Sequence, residues 1–413
     1  LMSRLEKRRG WAGLRRLALP LFFVPVLWFS TSSTDPFMGR AVTNPPFESL
    51  TYGVQAFLWW DPTIAALRLD SIRTMVFSHV KQTFAWKDVE PVKGELHFAN
   101  ADRLLEEVER RGLSLVARLS DTPDWALPPG ADASQFLDSP PADLGDFARY
   151  CGTIASRYRG RIAAYQIWNE PNLAREWGNN PPDAAGYVEL LRACSEAIRA
   201  ADPDAILISA GLSPTGNYDA TAHPDDVFLQ ELYDAGFQRY IDVVGVHAPG
   251  YSHPELSPDE AEARGSQRFF TFRRVEDLRK IMVANGDAAR QMAILEVGWT
   301  RDNINPAYSW FAVDEKTQAR HLVAAYRYAA FHWRPWIGLM SAIYIADPRW
   351  TPKNEEYHWS IFTSEGWQTP AYVALANMEK YCGNRVIPAR EPDSPQALGL
   401  APIEFCTEAG APG

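Results

Sequence analysis

The chain is expected to be an α/β protein: a (β/α)8 TIM barrel with a short N-terminal export or anchor segment and a C-terminal tail. Three observations predict this. From about residue 50, short apolar runs alternate with longer amphipathic stretches, the pattern of repeated βα units around a parallel sheet. Eight such runs can be counted, each with a helical pattern behind it. The runner-up, a doubly wound open sheet, would usually carry a glycine-rich phosphate turn after its first strand, and none is found. The 413-residue length suits a barrel with insertions, since these run from about 200 to over 400 residues. With 46% hydrophobic and 22% charged residues, there is enough apolar mass for one large core.

The strand runs are Thr51–Phe57, Val80–Phe84, Ser114–Leu119, Ala163–Ile167, Ala205–Ser209, Ile241–Val246, Met292–Leu295 and Gly338–Ile345. The helical patterns behind them are Pro62–Leu69, Phe98–Arg111, Leu144–Tyr158, Ala184–Ala201, Val227–Ala235, Arg268–Ala284, Thr317–Phe331 and Pro370–Lys380. Phe98–Arg111 is typical, with Leu104, Leu105 and Val108 set between charges. The barrel is therefore placed over residues 50–380 and a C-terminal tail packed on it over 381–413.

Ahead of the barrel, residues 1–16 carry six bases and one acid, a net of +5. The apolar run Leu17–Phe29 follows, about 13 residues against the roughly 20 that span a bilayer. A basic stretch before a short apolar one reads as an export signal or membrane anchor over residues 1–30. Residues 31–49, rich in Ser, Thr and Pro, read as a linker. An extracytoplasmic location, secreted or tethered through this segment, is expected.

The whole chain is −10, so residues 17–413 carry −15. An acidic body without a basic patch argues against a nucleic-acid partner. Cys151, Cys194, Cys382 and Cys406 have no zinc-ligand spacing. In an exported protein Cys382 with Cys406 would staple the tail and Cys151 with Cys194 would link neighbouring helices. Four buried thiols are the alternative.

In such barrels the active site lies where the strands end. Gln166-Ile167-Trp168-Asn169-Glu170-Pro171-Asn172 ends the fourth strand run, and Ile294-Leu295-Glu296-Val297-Gly298-Trp299 ends the seventh. Carboxylates in apolar strand surroundings are unusual unless paired or functional. Two facing carboxylates are what cleavage of a glycosidic bond requires, one protonated and one ionised. Glu170 could instead be a helix N-terminal carboxylate, with Pro171 as the first helical residue, and Glu296 a structural ion pair.

The Trp-Asn-Glu-Pro stretch, with Glu296 in its context, resembles the paired motifs of clan A retaining glycoside hydrolases, family 39 and the cellulase-like family 5 in particular. Phe84–Gly94 and Asp242-Val-Val-Gly-Val-His247 are similar to the clan's second and sixth strand ends, and the likeness runs over about residues 50–380. The resemblance implies hydrolysis of O-glycosidic bonds in poly- or oligosaccharides by double displacement. Glu170 would be acid/base and Glu296 nucleophile. No cofactor or metal is implied, and the partner is a carbohydrate.

Glu170 should then have a raised pKa, from partial burial and the charge of Glu296. Asn169 suits a sugar 2-hydroxyl. His247 would sit beside the nucleophile or be a core histidine; Ala248-Pro249-Gly250 separate it from Tyr251, an aromatic that family members hold closer. Trp86, Trp125, Trp299 and Trp350 follow strands and are candidates for stacking on sugar or for core packing. Lys81 and Arg118 lie within strands and could face a substrate or a carboxylate. A non-catalytic carbohydrate-binding barrel and a transglycosylase are the competing readings. Ser213 is one residue off a nucleophile elbow and lacks its strand–turn–helix context.

Overall fold

The computed structural model describes residues 42–47, 50–382 and 385–390. The expected export segment and Cys406 lie outside the described residues. Eight parallel strands close into a barrel in chain order: β1 (Thr51–Ala56), β2 (His79–Ala85), β3 (Ser114–Ser120), β4 (Ala164–Ile167), β5 (Ile206–Ile208), β6 (Val243–Pro249), β7 (Gln291–Gly298) and β8 (Ile337–Ile345). Each is followed by a main helix: α1 (Pro62–Thr74), α2 (Ala99–Arg110), α3 (Leu144–Arg157), α4 (Ala184–Ala201), α5 (Asp225–Asp234), α6 (Arg274–Ala284), α7 (Glu315–His332) and α8 (Pro370–Asn377).

The strands read as near-continuous apolar runs because both faces are covered. One face meets the helices. The other fills the barrel with a cluster that includes Val116, Ala164, Ile208, Val243, Ala293, Leu295 and Leu339. The helices start where polar caps stand: Asp61, Asp143, Asp183, Asp314 and Thr369 each accept a backbone N–H of the first turn. Such a cap contributes about 1 kcal/mol. α2 turns Ala101, Leu104, Leu105 and Val108 inward, as its spacing requires.

Three elements differ from expectation. The helix expected over Arg268–Ala284 begins at Arg274. A turn from Gln267 O to Phe270 N comes first and sets Phe270 against Tyr251 and Trp310. The last helix stops at Asn377 because the buried Lys380 turns back. Its ammonium donates to the carbonyls of Leu375, Ala376 and Met378, groups a helix end leaves unpaired. A hairpin of Lys380–Cys382 with Arg385–Ile387 follows. Finally, Phe47, expected in a linker, is buried at the foot of the barrel interior. Its backbone N–H donates to Gln291 Oε1 at 3.0 Å and its carbonyl accepts from Gln291 Nε2 at 2.9 Å.

Cys151 on α3 and Cys194 on α4 form a disulfide with Cα atoms 5.4 Å apart. Of the two arrangements left open for this pair, the linked one is present. Cys382 is also disulfide-bonded. Among the described residues no helix is long and apolar enough to cross a membrane.

Candidate active site

A cleft of about 650 Å³ opens where the strands end, lined by Asn169, Glu170, His247, Tyr251 and Glu296 among others. Glu170 stands just past β4 on a loop with unusual backbone. Trp168 has φ +70° and Glu170 φ +37°, positive values that cost a non-glycine residue free energy and cluster at functional sites. The surroundings hold the loop. Trp168 is fully buried, and its indole N–H donates to Glu176 O at 3.0 Å. Asn172 bonds Ser213 and His223.

Glu296 reaches the cleft through a register shift. β6 and β7 pair Val246 with Ile294 but His247 with Glu296, so β7 carries one extra residue there. A bulge re-aims the side chains that follow it. Leu295 fills the barrel interior while its neighbour Glu296 lines the cleft, which strict alternation would forbid.

Glu170, His247 and Glu296 offer one ligand atom each, all within 4.8 Å of one another. His247 lies between the carboxylates. Its Nδ1 is 2.9 Å from Glu170 Oε1 and 3.8 Å from Glu296 Oε2. Gly211 makes the space: a Cβ there would come within 2.1 Å of the imidazole. Three ligand atoms so close could hold a metal ion, which the sequence did not lead us to expect. Lys81 and Arg175 already sit on these carboxylates, and a cation would have to compete with both. Lys81 Nζ, buried inside the barrel, donates to Glu296 Oε1 at 3.2 Å. Arg175 Nη2, on the short turn Ala174–Glu176, donates to Glu170 Oε2 at 3.0 Å.

Electrostatics correct one expectation. Burial does push the Glu170 pKa up, as the sequence suggested. The hydrogen bond and charge of His247 and the charge of Arg175 outweigh it, and the pKa is lowered. For Glu296, burial is again opposed, by His247 and Lys81, and its pKa is also lowered. Lys81 is itself pulled down to about 8, by burial ahead of its attraction to Glu296. The raised carboxyls of the cleft are Glu176, at about 8 because it is buried and faces the Glu170 charge, Asp138, at about 7 through burial and the Asp121 charge, and Glu355, through burial.

The other expected residues divide. Asn169 lines the cleft, with Nδ2 3.5 Å from Glu176 Oε1. Tyr251 lines it too, packed on Phe270 and Phe311. Arg118 faces it, 3.7 Å from Asp121. Trp86 does not: it is fully buried, stacked on Tyr150, with its indole N–H donating to Glu90. Trp299 is also fully buried, donates to Ser252 O, and lies where a Cβ on Gly250 would be, 1.8 Å away. Neither has a face free for a sugar. Trp125 donates to Glu90 O, and Trp350 packs on Phe57 and Tyr344. Arg175, Glu176, Tyr344 and Glu355 line the cleft without having been anticipated. None of them follows a strand run with a recognisable motif.

No protein-family model matches the chain. No curated protein matches it in sequence. Solved structures do resemble it. A family 39 glycoside hydrolase from the gut symbiont Bacteroides cellulosilyticus matches 81% of this chain at 20% identity and TM-score 0.56. A GH39 β-xylosidase from Caulobacter crescentus matches 82% of this chain and 72% of its own at 16% identity and TM-score 0.55. The GH5_18 protein of Streptomyces cattleya, solved with GlcNAc, matches 80% of this chain and 79% of its own at 18% identity and TM-score 0.56. This chain shares the fold of these solved structures. The chain spans 64% of the length of the Bacteroides protein.

Proposed function

We propose that the chain is a retaining glycoside hydrolase acting on O-glycosidic bonds of poly- or oligosaccharides, with Glu296 as nucleophile and Glu170 as acid/base. One observation carries the reading: carboxylate oxygens of Glu170 and Glu296 within 4.8 Å across a cleft at the strand ends. Retaining enzymes hold their carboxyl groups about 5–5.5 Å apart, whereas inversion needs about 6.5–9.5 Å for a water.

Glu296, held ionised by Lys81 and His247, attacks the anomeric carbon. The leaving oxygen takes a proton from the Glu170 side. Glu170 and His247 share a hydrogen bond, and the proton travels to the leaving oxygen through Glu170. Once Glu296 is esterified its charge is gone. Glu170, favoured as an anion, then takes a proton from the attacking water. Asn169 is positioned as donor to the sugar 2-hydroxyl.

The oxidised pair Cys151–Cys194 favours an extracytoplasmic site of action. Residues 1–30 would serve there as export signal or tether, 31–49 as the approach to the barrel, 50–380 as the catalytic unit and 381–413 as its tail. The test is a panel of aryl β-glycosides with wild type and Glu296→Ala, following the configuration of the first-formed sugar by NMR. Retained configuration with wild type and no turnover with the variant is expected. No turnover by either, or an inverted product, refutes the assignment.

A further inference from the structure

The cleft does not end at the carboxylates. A second cavity of about 320 Å³ shares Phe57, Lys87, Arg118 and Asp121 with it. A third, about 380 Å³, shares Phe57, Trp60, Asp347 and Arg349 with the second. Together they form one path from the carboxylate pair past the ends of β1, β2, β3 and β8.

The second cavity is lined by polar groups that lack partners. Trp59 Nε1, Thr83 Oγ1 and Arg118 Nε are buried and make no hydrogen bond among the described residues. Trp59 as a whole is 4% exposed. Buried polar atoms in native proteins are nearly always paired, and each exception asks for a reason. Indole and guanidinium N–H groups are donors only, and the threonine hydroxyl can donate or accept. Hydroxyl oxygens satisfy all three.

The charges beside them are already balanced. Lys87 Nζ lies 3.0 Å from Asp121, and Arg349 Nη2 lies 2.7 Å from Asp347. An ionic ligand would have to break these pairs, whereas a neutral one leaves them intact. Beyond, Trp60 is 56% exposed and Phe57 lies along the whole path. Exposed aromatic surface beside a polar cavity suits a ligand with hydroxyl edges and C–H faces.

We infer that this path is an extended subsite for a neutral oligosaccharide, with one sugar unit over Trp59, Thr83 and Arg118 and the next against Trp60. The inference rests on the proposed glycosidase reading for the unit at the carboxylates, and it specifies where the further units of the chain are held. Binding without cleavage separates the two claims. Full-length Glu296→Gln protein is titrated calorimetrically with cello-, xylo- and manno-oligosaccharides from monosaccharide to hexasaccharide. With one ladder, the dissociation constant is expected to tighten by about tenfold or more with length, the scale of one added stacked and hydrogen-bonded unit. Adding Trp60→Ala should remove the gain from the longest members, and adding Thr83→Val should weaken binding from the middle of the ladder onward.

Affinity independent of length, binding to none of the ladders, or a length dependence untouched by both substitutions overturns the inference. Length-dependent binding by a wild-type enzyme that cleaves no glycoside would sink the hydrolase reading and leave the subsite standing.

Discussion

Arg175 offers the sharpest test of how the proton is handled. Replacing it with Gln removes a guanidinium 3.0 Å from Glu170 Oε2. At that distance two unit charges interact by about 5.5 kcal/mol at an effective dielectric of 20 and about 1.4 kcal/mol at that of water. The Arg175 side chain is 53% exposed, so solvent screening favours the lower end. At about 1.4 kcal/mol per unit, Glu170 should hold its proton to a pH about one unit higher on the screened figure. Arg175 favours the anion, so removing it raises the pKa. The catalytic acid must be protonated for kcat/KM, and activity is lost as pH rises through that pKa. The basic limb of the pH profile should therefore move upward in Arg175→Gln. The measurement is kcat/KM against pH for an alkyl glycoside, whose poor leaving group needs acid assistance, with circular dichroism as a check on folding. A basic limb that stays in place, or moves down, in a folded variant refutes the reasoning.

Other consequences follow from the same geometry. Azide should rescue Glu170→Ala on an activated aryl glycoside and yield a β-glycosyl azide, identified by NMR, whereas Glu296→Ala should give no β-linked product. Lys81→Met takes away a cation that favours ionised Glu296, so the acidic limb of kcat/KM should move to higher pH by about a unit or more; an unmoved limb would show that Lys81 does not tune the nucleophile. Replacing Cys151 and Cys194 by Ala opens a link between residues 43 apart. Chain entropy alone puts the loss near 4 kcal/mol, to be read as a lower urea midpoint.

The barrel was legible because a strand buried on both faces leaves an apolar run that polar insertions cannot hide. Val80–Phe84 and Ser114–Leu119 fall inside β2 and β3. Glu170 and Glu296 stood out for the converse reason, as acids at the ends of such runs. Side-chain direction was not legible. Trp86 and Trp299 have the composition of a sugar platform, yet both point into packing, and nothing in their neighbours announces it. The bulge that turns Glu296 inward leaves no mark in Ile294-Leu295-Glu296, because either alternation looks plausible from the letters. Arg175 was missed since it lies on a single turn, outside any periodic pattern. After His247, it helps reverse the shift expected for Glu170 from burial and the Glu296 charge. Phe47 looked like linker because its partner Gln291 lies 244 positions away.

That last separation bears on how the molecule is assembled. The stopper at the foot of the barrel precedes the first strand, and the residue that clasps it begins the seventh. Until β7 has been made, Phe47 can meet the His79 ring but lacks both hydrogen bonds of Gln291. Closure at the foot thus waits for a strand 244 positions further along the chain.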